Sequence, residues 1–352
     1  MKKLLMLVFA VVVMSVGLFA CGQKEKEQEY KLGMGVVVSL DSSKKGTAQV
    51  DATVATVVTD KDGKIVVCRI DVAQNKASIA DGTYTAPTDL RTKMEKGADY
   101  GMGGSPYAPD NNGDGKVEEW DVQAKAFEAY VVGKTGAEVA KLELQEVNSH
   151  QISTDEALLS AGCTIQITDF MAAVAKACAD EQGFTFTAKA GSFTLGVAAT
   201  SYSDSSSASA TAEADGVSAV YTDFAAAVVA DGKILASIND AIQPKVKFDA
   251  AGEITEKAFK ATKRELKEEY GMSGSPYSSD NNDDGKIEEW YIQSAAFSKF
   301  VVGKTAAQVA ALETKEVNKH QISTDEELLA AGCTIQITSI KAVVAKACEN
   351  AR

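Results

Sequence analysis

Residues 48–72 read AQVDATVATVVTDKDGKIVVCRIDV. Two runs rich in β-branched residues flank Asp62-Gly63, a dipeptide that tolerates the positive φ a tight hairpin needs. The stretch predicts an antiparallel hairpin. Residues 216–238, GVSAVYTDFAAAVVADGKILASI, repeat the design with the turn at Asp231-Gly232. Downstream of the first hairpin the pattern turns helical. One helix is predicted around TDLRTKMEKGADY and a second from EEW to Val131, where Trp120, Ala124, Phe127 and Val131 recur at helical spacing and Gly133 stops it. A short helical run TDEALLS, a strand CTIQIT and a helix DFMAAVAKAC follow, the last expected to be capped by Thr168 or Asp169. Strands followed by helices predict an α+β fold, a small antiparallel sheet with packed helices in each copy.

The copying extends over the whole chain. Between Tyr100 and Thr135, 24 of 36 positions recur 170 residues later, including YGM, DNN, EEW and VVGKT. HQISTDEALLSAGCTIQIT at His150 recurs as HQISTDEELLAAGCTIQIT at His320. That period is far too long for a solenoid and predicts two tandem homologous domains, 30–180 and 184–352. KLGMGVVVSLDSSKKG at Lys31 has its partner in SFTLGVAATSYSDSSSASATA at Ser192, whose serine-rich insertion predicts an exposed loop.

The first residues stand apart. MKK precedes an apolar run ending LFACG at 18–22, and QKEKEQE follows as a polar tether. This resembles a bacterial lipoprotein leader. The resemblance implies a signal peptide at 1–20, lipid on Cys21, a tether at 21–29, and residence on the extracytoplasmic face of the cell membrane. The formal charge of −13 becomes −15 without Lys2 and Lys3, and argues against nucleic acid as a partner. Cys68, Cys163, Cys178, Cys333 and Cys348 remain, an odd number, and read as small buried hydrophobes rather than a disulfide framework.

DNNGDGKVEEWD at 110–121 places oxygen donors as a calcium loop does: Asp110, Asn112 and Asp114 at positions 1, 3 and 5, and Gly115 at 6. The carbonyl of Lys116 stands at 7 and Asp121 at 12. The second copy offers Asp280, Asn282, Asp284 and Lys286, with Tyr291 at position 12 and Glu288 at position 9. Glycine and proline before each loop argue against an entering helix. The loops therefore resemble isolated EF-hand or dockerin loops that open a single helix, and Ca2+ is expected, more weakly in the second. The alternative is a polar turn that binds nothing. VVGKT lacks the upstream glycine of a phosphate loop, with Glu128 or Ser298 in its place. His150 and His320 lack zinc spacing and a serine elbow, and read as residues flanking turns.

One combination carries a further resemblance. Each copy joins a DGKI hairpin, Asp62 to Ile65 or Asp231 to Ile234, to AGCTI and then to an Ala/Val-rich helix ending AKAC. This order resembles the FMN-binding domain of bacterial surface lipoproteins and redox-pump subunits. In that family the threonine of an S-G-A-T motif carries FMN through a phosphoester installed by a flavin transferase. The resemblance implies Gly162 and Thr164, and Gly332 and Thr334, as cofactor-binding residues. Cys163 and Cys333 replace the motif's alanine, and Ala161 and Ala331 its serine. The function so implied is an electron carrier without turnover of its own, served by a membrane or extracellular redox partner. The alternative is a non-redox binding or scaffold lipoprotein on the same fold.

Overall fold

The computed structural model describes residues 26–104, 110, 113, 115–273, 280–281 and 285–352. The predicted leader with Cys21, and Asn112, Asp114, Asn282 and Asp284, lie outside the described residues.

The fold is α+β. The first half runs β1 (Gln28–Ser39), β2 (Thr47–Thr59), β3 (Ile65–Ala80), β4 (Thr83–Thr85), α1 (Lys93–Lys96), α2 (Trp120–Tyr130), α3 (Gly136–Val139), β5 (Leu144–Val147), β6 (His150–Ser153), α4 (Glu156–Ser160) and α5 (Thr168–Cys178). The second half runs β7 (Phe184–Ala188), β8 (Thr194–Ser203), β9 (Gly216–Ala230), β10 (Lys233–Ile242), β11 (Lys245–Phe248), β12 (Ile254–Ala258), α6 (Lys263–Leu266), α7 (Trp290–Phe300), α8 (Ala306–Ala310), β13 (Thr314–Val317), β14 (His320–Ser323), α9 (Glu326–Ala330) and α10 (Thr338–Glu349).

Both hairpins form where the Asp-Gly signals stand, with different turns. Asp231 and Gly232 both take positive φ and join β9 to β10 directly, whereas Asp60 to Lys64 make a longer loop in which Gly63 alone is left-handed. The long β3 of the first half is divided in the second into β10 and β11. Pro244 falls at the break, where it has no N–H to give a ladder.

Each sheet is apolar on both faces. Val54 and Phe224 point between the sheets, while their neighbours Ala55 and Ala225 point outward to the helices, following the period of two. The result is four layers, helices–sheet–sheet–helices. The central core joins Leu32, Val50 and Val54 of the first half to Leu195, Phe224 and Phe248 of the second. The two domains expected at 30–180 and 184–352 therefore share a core. Residues 184–188, which the repeat assigns to the second copy, form β7 on the edge of the first sheet, pairing from Gln28↔Ala188 to Leu32↔Phe184.

The halves are also laced reciprocally. Lys176 of the first pairs with Glu265 of the second at 2.6 Å, and Lys346 of the second with Glu95 of the first at 2.6 Å. Beside them Arg264 meets Asp180 at 3.1 Å, with both side chains 8% exposed. Helix α10 lies so close on β8 that a Cβ on Gly196 would stand 1.8 Å from the Ala347 carbonyl oxygen.

Three local expectations change. CTIQIT is not a strand, because the Thr164 and Ile165 N–H groups both donate to the Gln123 side chain. Neither Thr168 nor Asp169 caps α5; they are its first two residues, and Ile167 at the cap gives no side-chain bond. The TDLRTKMEKGADY helix is one turn of α-helix followed by a 3-10 turn, interrupted at Gly97 with φ 47°. The serine-rich loop is exposed as expected, but it also reaches the first half, where Ser209 Oγ accepts from Tyr84 N. The cysteines among the described residues are free, with Cys68, Cys163 and Cys333 buried. Burial pushes the Cys163 and Cys333 thiols up to about 12.

Candidate functional site: two related clefts and two acidic loops

In each half a pair of strands, β1 and β2 or β8 and β9, forms a cleft with the capped turn and the last helix. In the first half the cross-strand pair Ser39↔Asp51 stands at the end of the sheet; in the second, Tyr202↔Tyr221 holds the same position. The capped turn is anchored from below by a buried aspartate. Asp71 Oδ1 accepts from Met94 N at 3.1 Å, and Asp240 Oδ1 from Arg264 N at 3.0 Å. Burial raises both carboxyls to about 6. Each turn is closed by a reciprocal capping box, Thr92 with Glu95 and Thr262 with Glu265. The box sets the lysine that follows the threonine over two aromatic rings. Lys93 Nζ lies 4.9 Å from the Tyr100 centroid and 5.7 Å from that of Trp120. Lys263 Nζ lies 5.0 Å from Tyr270 and 5.3 Å from Trp290. Both tryptophans are nearly buried.

The clefts differ in size and lining. The first, about 270 Å3, is lined by Asp51, Thr53, Lys93, Trp120 and Asp169 among others. Burial raises the Asp169 carboxyl, the charge of Asp51 adds to this, and Lys93 opposes it. The second, about 820 Å3, is lined by Tyr202, Tyr221, Asp223, Lys263, Trp290 and His320 among others. Each holds one buried carboxylate oxygen with no hydrogen-bond partner, Asp51 Oδ1 in the first and Asp223 Oδ2 in the second.

The acidic loops lie against the AGCTI turns. Asp110 Oδ2 accepts from Gly115 N at 2.7 Å, and Asp280 Oδ2 from Gly285 N at 2.8 Å, so position 1 closes on position 6 in both loops. Lys116 and Lys286 are exposed, and Glu288 is half-buried. Asp121 at position 12 pairs with Lys125 at 2.7 Å, whereas Tyr291 donates to Glu268 at 2.8 Å. Glu119 accepts from Met102 N and Gly103 N and fastens the loop's entry.

Gly162 and Gly332 take positive φ beneath these loops. A Cβ on Gly162 would stand 3.2 Å from Glu118 Cγ, and one on Gly332 3.5 Å from Glu288 Cγ. Thr164 is 6% exposed and donates from Oγ1 to Gln123 Oε1 at 3.3 Å; Thr334 is 5% exposed and does the same to Gln293 Oε1. These surroundings do not fit a flavin phosphoester. The hydroxyls are enclosed and engaged, and the anionic phosphodiester of such a bond would face a glutamate there. The residues that the sequence reading missed are Gln123 and Gln293, both buried, and the cleft residues Asp223, Lys93 and Lys263. Trp120 and Gln123, three apart on one helix, were the available signal.

Comparison of the chain with models of known families, with curated proteins and with solved structures finds no match.

Proposed function

We propose that the chain is a lipid-anchored, extracytoplasmic binding protein without redox chemistry, carrying Ca2+ in its two acidic loops and ligand in its clefts. The observation that carries this reading is the paired clefts: each has a tryptophan covered by a lysine, and a buried carboxylate oxygen that nothing in the fold satisfies. The enclosure of Thr164 and Thr334 by Gln123 and Gln293 favours it over the electron carrier. Cys21 supplies the membrane attachment, and calcium braces the loop against the start of the tryptophan helix. Among the described residues no helix is long and apolar enough to cross a membrane.

The deciding experiment is production alongside a flavin transferase, followed by intact-mass and absorbance measurement. A colourless protein of unmodified mass is expected. A mass gain of one or two FMN that disappears in Thr164→Val and Thr334→Val would restore the electron carrier. Cys21→Ala is expected to leave the membrane fraction.

A further inference from the structure

The second cleft contains the more specific chemistry. Asp223 stands on β9 opposite Thr200 and is only 6% exposed. Its Oδ2 has no hydrogen-bond partner, and the residue lines the cleft. A buried carboxylate oxygen in that state calls for a donor beyond the Ser339 hydroxyl that stands beside the carboxylate. Burial raises the carboxyl, with Lys263 and Ser339 opposing.

The charge of the wall restricts what the donor belongs to. Asp204 and Asp223 are balanced by Lys245 and Lys263 in the same lining. A simple cation meets two ammonium groups there, and an anion meets two carboxylates. Lys263 is already laid on the faces of Tyr270 and Trp290, so it is poorly placed to take up the carboxylate of a zwitterion. A neutral molecule with several hydroxyls avoids both repulsions. Gln243, Gln336 and Ser339 provide uncharged hydrogen-bonding partners around the same space. At the mouth Tyr202 is 38% exposed and braced edge-on by Tyr221, with centroids 5.9 Å apart. An open tyrosine face accepts the C–H face of a pyranose. The first cleft has Ser39 and Asp51 at those positions and no such wall.

We propose that the second cleft binds a neutral saccharide of one or two residues, with a hydroxyl donating to Asp223 Oδ2 and a sugar face resting on Tyr202. The inference rests on the binding reading above. The cleft volume of about 820 Å3 suits a ligand of that size.

The chain has two tryptophans, one at each cleft, so Trp120→Phe leaves Trp290 as sole reporter of the second. Its fluorescence is titrated with glucose, galactose, N-acetylglucosamine, maltose, cellobiose and lactose, and separately with glycine, phenylalanine and putrescine. Calorimetry on the unsubstituted chain repeats each titration free of the reporter substitution. Saturable binding of at least one saccharide is expected, weakened tenfold or more by Asp223→Ala and by Tyr202→Ala; the exposed Tyr202 site guards against a mere folding failure. Saccharide binding indifferent to both substitutions overturns the assignment. Binding of only the amine or amino acids, dependent on Asp223, overturns the sugar while the binding reading stands. No saturable response to any probe overturns both.

Discussion

At one register position the first half pairs Ser39 with Asp51, and the second pairs Tyr202 with Tyr221. The surrounding frame is the same in both: a buried aspartate under a capped turn, a lysine over Tyr and Trp, a glutamine holding the GCT turn. Duplication has kept the frame and varied the lining. The same division holds behind the clefts. Ile70 N donates to the buried Glu128 carboxylate, which Arg352 also binds at 2.8 Å; in the second half Asn239 Nδ2 donates to Ser298 Oγ at 3.0 Å. A charged arrangement in one half is neutral in the other, at the same place in the fold. At both places the frame is retained while the side chains differ.

The strongest way to break the comparison is to separate its members. The central core draws on both sheets, and β7 of the second copy completes the first sheet. A chain of residues 184–352 alone exposes Phe224, Phe248 and Leu195, and is expected to be unfolded or aggregated by circular dichroism and sedimentation. The full chain should show one calorimetric transition. Two resolved transitions, or a folded isolated half, would rule out the shared core.

A smaller effect separates charged from neutral support. Glu128→Ala removes a carboxylate that is 4% exposed and strands Arg69, itself 15% exposed. Loss of one member of a buried pair costs about 3 kcal/mol. Ser298→Ala removes a neutral hydrogen bond worth about 1 kcal/mol. Urea denaturation measures both; equal losses would mean that Arg69 and Arg352 re-solvate freely when Glu128 is gone.

The shared frame has its own signature in pH. Asp71 and Asp240 titrate at about 6 against an ordinary 3.8, because burial disfavours their charged form. The folded chain holds these protons more tightly than the unfolded one. Stability from this source is therefore present below pH about 4 and lost as pH rises to about 6. Two units correspond to about 3 kcal/mol for each group. Asp71→Asn and Asp240→Asn should each remove about half of that decline, seen as the difference from wild type in denaturation profiles between pH 4 and 7. A profile unchanged in the double variant would show that neither group is held protonated. Similar contributions are expected because both carboxyls are buried beneath a capped turn, although Arg264 opposes the rise at Asp240 whereas Glu95 adds to it at Asp71.

The fold was legible where the signal was local. Asp-Gly turns specify positive φ within the dipeptide itself, and Trp120, Ala124 and Phe127 on α2, with Val131 at its C-terminal cap, all bury as their spacing predicts. The hairpin β5–β6 was missed although Asn148 and Ser149 take positive φ at its turn, while His150, read as flanking a turn, does stand directly after it. What was illegible depends on distant partners. GCTIQIT carries strand-forming residues, and only Gln123, forty-one positions away, diverts its N–H groups. Gly162 was expected at a cofactor from the resemblance alone, yet it makes room for the Glu118 stem. The acidic clusters at 110 and 280 stood out; Asp223, the buried carboxylate of the larger cleft, sits in an apolar run with nothing beside it to mark it.

The acidic loops give the smallest expected contrast. Both close position 1 on position 6 in the same way, so the difference between them falls on position 12. Asp121 is a carboxylate, held by an exposed Lys125 at 2.7 Å in a pair that a divalent cation can displace. Tyr291 is a phenol, engaged with Glu268 and offering no negative charge. Fewer charges around a hard cation mean weaker binding, so the first loop should bind Ca2+ more tightly than the second. Ligand that binds only the folded state raises stability by mass action, about 1.4 kcal/mol at ten times the dissociation constant. At calcium concentrations on the order of 10⁻³ M, the gain in melting temperature should fall more in Asp114→Ala than in Asp284→Ala. Introducing the missing ligand by Tyr291→Asp should bring the second loop toward the first. No calcium heat in calorimetry at such concentrations would remove the metal from both loops, and a tighter second site would show that Glu288 rather than position 12 governs affinity.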